Sequence, residues 1–132
     1  ERSAGPRFVV SALRDPGDRA RGGGKLPVLQ IVKGWLGPDG SPKVRVVDVA
    51  GDRKNGASVE DATCEPRGPG ADSLCAVFHD KDFDPGQPAF YYVRVLENPS
   101  CRWNAYTCNA LPPAQRPAAC SDPTVPRTVQ ER

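Results

Sequence analysis

Ala89-Phe-Tyr-Tyr-Val-Arg-Val-Leu-Glu-Asn-Pro-Ser-Cys-Arg-Trp103 is the longest β-like run of the chain. Its residues from Phe90 to Leu96 are aromatic, β-branched or bulky, apart from Arg94, which suits a pleated strand. Tyr91, Val93 and Val95 point to one side; Phe90, Tyr92, Arg94 and Leu96 point to the other. Both sides are therefore largely apolar. Such a strand is either central and covered twice, or packed against something outside the chain. Asn98-Pro99 ends it, because proline cannot donate to a ladder.

Working outward, Lys25 to Leu36 is a second strong strand. Leu29, Ile31 and Trp35 share a face with Lys33, and Val28, Val32 and Leu36 share the other with Gln30. Gly37-Pro-Asp-Gly-Ser-Pro42 reads as a turn, since proline presets φ and Asp-Gly accepts the left-handed region. Lys43 to Ala50 returns as its hairpin partner. Arg7 to Arg14 is a further strand, with Phe8, Val10 and Ala12 on one face, after a loose lead-in from Glu1 to Pro6. Ser73 to His79 is a short strand, and the turn from Asp80 to Pro88 predicts a second hairpin with the run at 89. The fold class read from this is all-β: a small antiparallel sheet or sandwich of about five strands with long loops. The chain, 1–132, reads as one β domain. No helical periodicity of useful length is visible, and residues 104–132 read as an extended arm pinned by disulfides.

Composition narrows the class further. The 132 residues include 15 prolines and 13 glycines, about a fifth of the chain, and 38% hydrophobic residues. That implies a small core with long turns. The formal net charge is +2, with both signs interspersed. No basic stripe or RNA-binding aromatic motif points to nucleic acid. No apolar run approaches the roughly 20 residues that span a bilayer. The chain starts at Glu1 and contains no methionine, which reads as a processed chain or a piece of a longer one.

Cys64, Cys75, Cys101, Cys108 and Cys120 form no CxxC pair, and His79 is the single histidine. No familiar zinc set results, so no metal and no cofactor is expected. The cysteines read as disulfides formed in an oxidising, extracytoplasmic compartment. Cys64–Cys75 and Cys101–Cys108 are the short-range pairings. Cys120 then pairs elsewhere or displaces a partner in the second pair, because spacing does not decide connectivity.

Several motifs carry residue types that chemistry uses. Arg21-Gly-Gly-Gly24 has glycines able to cradle a phosphate but lacks P-loop spacing and a following helix, which favours a plain loop. Asp80, Asp82 and Asp84 alternate, yet the EF-hand pattern fails at Pro85 and Tyr91, which favours a solvated acidic turn. His79 beside Asp80 has the residue types of a general-base pair, but neighbours on a strand face opposite ways. No catalytic residue is assigned. Asn98, Arg102 and Trp103, at the end of the opening run, are the candidate recognition residues. Arginine forks onto carboxylate or phosphate, and indole stacks on sugars or cations. The competing reading has Arg102 capping carbonyls or stacking on Trp103, and Trp103 filling core beside a disulfide.

The blocks Leu29-Gln-Ile-Val-Lys-Gly-Trp35, Val47-Asp-Val-Ala-Gly51, Gly70-Ala-Asp-Ser-Leu-Cys-Ala-Val77, Asp82-Phe-Asp-Pro85, Ala89 to Trp103 and Arg127-Thr-Val-Gln-Glu-Arg132 occur in one order. Together they resemble the C-terminal part of the bacterial domain of unknown function 3604 family, over nearly the whole chain. The resemblance implies a long, exported protein whose N-terminal part is similar to PHP-type metal-dependent phosphoesterases. None of those histidine-bearing motifs is present here, so no catalytic residue carries over. The family's apolar, tryptophan-containing continuation after Gln-Glu-Arg is also absent. The segment between Cys120 and Arg127 is shorter than in members with extra cysteines. The expected function is thus a non-catalytic C-terminal β module whose partner is the N-terminal hydrolase-like domain. The alternative is a carbohydrate- or small-ligand-binding module that stacks ligand on Trp35, Tyr91, Tyr92 or Trp103. A small enzyme built on His79 and the aspartates is the third.

Overall fold

In a computed structural model, residues 5–18 and 21–129 are described. Most of the expected lead-in, residues 1–4, lies outside them. Seven strands precede the C-terminal segment: β1 (Arg7–Leu13), β2 (Val28–Leu36), β3 (Pro42–Gly51), the two-residue β4 (Ser58–Val59) and β5 (Pro66–Arg67), β6 (Ser73–His79) and β7 (Ala89–Val95). They form small antiparallel sheets: β3-β2-β7, β1-β6 and β4-β5. The fold is all-β, as alternation in the sequence requires.

The β2–β3 hairpin forms as expected. In its turn, Gly37 donates to the Ser41 carbonyl at 2.7 Å and Gly40 (φ 76°) donates to Gly37. Asp39 Oδ1 accepts both the amide and the hydroxyl of Ser41, which holds its carboxyl below the usual range. A bulge follows where the register shifts between Leu29 and Gln30.

The expected β6–β7 hairpin does not form. β6 pairs with β1, Val9 opposite Val77, while β7 pairs with β2, Lys33 opposite Tyr91 and Gly34 opposite Phe90. The chain between them crosses from one sheet to the other. Consequently β7 is an edge strand and β2 the central one, so of the two readings of the opening run the one that made it central does not hold. The two sheets share one core. Val10, Leu29 and Ile31 are buried at its centre, with Phe8, Ala12, Leu74, Ala76, Phe78 and Tyr91 packed around them. Phe8 lies 4.8 Å from Tyr91, centroid to centroid.

Residues beyond Asn98 also depart from expectation. β8 (Ser100–Cys101) leads into a helix, α1 (Trp103–Ala110), then two 3-10 turns at Pro113–Gln115 and Ala118–Cys120, and β9 (Thr128–Val129), which pairs back on β8. The segment is thus folded back rather than extended. Only Ala105 of α1 is buried, so no amphipathic stripe announced the helix. Long-range clamps hold it instead. Ala105 packs against the Cys64–Cys101 disulfide, and a second disulfide joins Cys108 to Cys120. Arg127 donates to the Cys120 carbonyl at 2.8 Å and to Asn109 Oδ1 at 2.9 Å. The short-range pairings Cys64–Cys75 and Cys101–Cys108 are therefore replaced. Cys75 is free and exposed on β6, opposite Ser11 of β1. Among the described residues no helix is long and apolar enough to cross a membrane.

Candidate functional site

Strand pairing alone decides what the outer face of the three-stranded sheet presents. Successive rows across it are Val44–Gly34–Phe90, Val46–Val32–Tyr92 and Asp48–Gln30–Arg94, with Leu36 at the far end of β2. Leu36, Val44, Val46, Phe90 and Tyr92 are between 41% and 65% exposed, so no other element among the described residues covers this face. Gly34 shapes it: a Cβ there would stand 2.2 Å from Phe90 Cζ, so the ring lies flat across the glycine. Phe90 and Tyr92 are nearly parallel, 9° apart with centroids at 6.4 Å. The polar row bounds the patch. Arg94 Nε donates to Gln30 Oε1 at 2.8 Å, and Gln30 Nε2 donates to Asp48. The outer face of the β1–β6 sheet carries a smaller apolar set: Val9, Val77 and Leu13.

On the opposite, inward face, Lys33 is buried and ion-paired with Asp80. Tyr91 donates its hydroxyl to Asp80 Oδ2 at 2.6 Å, and the Asp82 amide donates to Asp80 Oδ1 at 3.1 Å. Burial pushes the Asp80 carboxyl up, but hydrogen bonds from Lys33, Tyr91 and the Asp82 amide, with the Lys33 charge, outweigh it and leave the group below the usual range. Burial and the Asp80 bond push the Tyr91 phenol up to about 12. These three groups satisfy one another and anchor the start of the crossover between the sheets.

The other acidic residues of that turn go elsewhere. Asp82 pairs with Arg45 at 2.6 Å, and Asp84 caps the Gly86 amide at 2.9 Å. Asp80 is thus a buried ion-pair partner and not part of a solvated turn. Among the described residues, no group of three or more His, Cys, Asp or Glu is placed to hold a metal ion. His79 Nε2 is buried with no hydrogen-bond partner among the described residues, and Asp80 bonds to Lys33 and Tyr91 instead.

Asn98, Arg102 and Trp103 do not converge. Asn98 is buried, and both its side-chain oxygen and nitrogen are hydrogen-bonded. It donates from Nδ2 to the Pro69 carbonyl at 2.9 Å, accepts from Asn55 at 3.0 Å, and its amide donates to the Lys25 carbonyl at 2.8 Å. It ties three loops together at the wall of a groove of about 690 Å³. Arg102 is exposed, and its backbone amide donates to the Arg127 carbonyl. Trp103 is 78% exposed at the start of α1, so it does not fill core beside the disulfide. The four aromatics proposed to stack ligand are also dispersed. Trp35 and Tyr91 lie on the inward face of the sheet, Tyr92 on the outward face, and Trp103 on α1.

The family model described as a protein of unknown function, DUF3604, matches residues 1–132. The chain belongs to the DUF3604 family. No curated protein and no solved structure matches it significantly. For this DUF3604 chain the sequence shows β2 and β7 as strands with two apolar sides, without singling out the outer face as a site. Phe90 was read there as a strand residue without a role; its place opposite Gly34 makes it the centre of the patch.

Proposed function

We propose that this DUF3604 chain is a non-catalytic β module, residues 1–132 acting as one domain. It docks through the outer face of β3-β2-β7 on the metal-dependent hydrolase-like domain that the family resemblance implies. The observation carrying this reading is the open apolar face of Leu36, Val44, Val46, Phe90 and Tyr92. A contiguous patch of this kind, rimmed by polar groups, marks an interaction surface. The two disulfides support an extracytoplasmic setting, where such bonds persist.

The test mixes the chain with the PHP-like region of a family member and measures binding by calorimetry. V46E/Y92K abolishes binding, while V9E/V77K, on the other sheet, leaves it intact. Equal binding by both variants refutes the reading. Turnover of a generic phosphoester by the chain alone refutes its non-catalytic part.

A second reading, carbohydrate binding, is favoured by the near-parallel exposed Phe90–Tyr92 pair. A glycan-array signal lost in Tyr92→Ala would select it over docking.

A further inference from the structure

The groove beside Asn98 is cationic. Of its charged lining residues four are basic, Arg14, Arg21, Lys25 and Arg67, and one is acidic, Glu65. These come from four separate parts of the chain: the end of β1, the glycine-rich loop, the approach to β2, and β5. Like charges gathered from distant segments cost repulsion that an anion would relieve. Two of them have acidic partners: Arg14 with Asp72 at 3.1 Å and Arg67 with Glu60 at 3.2 Å. Arg21 and Lys25 form no ion pair among the described residues and are exposed. Arg21 instead lies over the Tyr106 ring, 4.3 Å from its centroid, which holds the guanidinium at the groove wall.

Between Arg21 and Lys25 runs Gly22-Gly-Gly24, which also lines the groove and brings backbone without side chains to it. A Cβ on Gly22 would meet nothing within 4 Å, so the loop is open at that point. The opposite wall is rigid. Cys64 and Ser100 line it, and the Cys64–Cys101 disulfide joins the two segments that carry them. Hydroxyls of Thr63 and Ser100 add neutral hydrogen-bonding groups. The volume, about 690 Å³, lies within the range of small-molecule sites.

We propose that this groove binds a small anionic sugar, its phosphate or carboxylate held by Arg21 and Lys25. The site stands at the Lys25 end of β2, whereas Phe90 and Tyr92 lie opposite Gly34 and Val32, so it does not depend on the docking reading.

Calorimetry at low salt with glucose 6-phosphate, glucuronate and glucose tests it. The expected result is saturable binding of a charged sugar, none of glucose, and at least a tenfold loss in both R21E/K25E and the milder R21Q/K25Q. Lys81→Glu, outside the groove, leaves binding unchanged. Circular dichroism and intact disulfides confirm that each variant is folded. Absence of saturation by either charged sugar overturns the proposal. So does glucose binding as tightly as they do, or binding that survives in both double variants.

Discussion

Replacing Asp80 with asparagine removes the charge that faces Lys33 while keeping the side chain's size. The Lys33 ammonium, its side chain 9% exposed, then keeps only neutral partners: the amide oxygen of the new side chain, the Asp82 carbonyl at 3.4 Å and the faces of Trp35 and Tyr91. Breaking one side of a buried pair costs about 3–5 kcal/mol, because the remaining charge is uncompensated. Lys33→Met falls at the lower end, about 3 kcal/mol, since Tyr91 and the Asp82 amide still bond the carboxylate. The double variant K33M/D80N leaves no charge in the site and loses about 2 kcal/mol or less. The coupling in the double-mutant cycle is thus about 4 kcal/mol or more. Urea unfolding with disulfides intact reads it: at a slope of about 1.5 kcal/mol/M, Asp80→Asn lowers the midpoint by about 2–3 M. A single-variant loss below about 1 kcal/mol, as for a surface pair, would refute the claim that this ion pair anchors the crossover.

The same cluster sets a pH dependence at both ends. The Asp80 carboxyl lies below its unfolded value, so its stabilisation is present above about pH 4 and is lost as pH falls further. Tyr91 is raised to about 12, so its contribution is full below its unfolded value near 10 and fades between roughly pH 10 and 12. Denaturation midpoints against pH should lose the acid limb's Asp80 component in Asp80→Asn and the alkaline component in Tyr91→Phe. For the disulfides, peptide mapping without reduction should recover Cys64–Cys101 and Cys108–Cys120, with Cys75 alkylated. With sequence separations of 37 and 12, their removal should cost about 4 and about 3 kcal/mol by the chain-entropy estimate, and Cys75→Ser should cost almost nothing.

Local pattern and long-range pairing differ in how far the sequence reveals them. The β2–β3 hairpin was legible because alternation on both arms met Pro38-Asp39-Gly40 between them. That β7 pairs with β2 rather than β6 was not, since pairing partners across sheets leave no local mark. Helix α1 buries a single alanine and is held by disulfides, so its apolar pattern is absent. Lys33 did leave a signal, a charge on the face of Leu29 and Ile31, but its partner stands 47 residues away. The apolar patch was visible as strands with two oily faces. Its location on the outer face of β3-β2-β7 required the topology. The basic groove is assembled from separated segments; of these only Arg21-Gly-Gly-Gly24 stood out in the sequence, where its spacing favoured a plain loop.

Carbene footprinting of the chain, alone and mixed with the PHP-like region of a family member, tests the docking claim most directly. Leu36, Val44, Val46, Phe90 and Tyr92 should label freely alone and be protected in the mixture, while Val9 and Val77 label equally in both. A complex that forms with the first five residues still fully labelled would contradict the account.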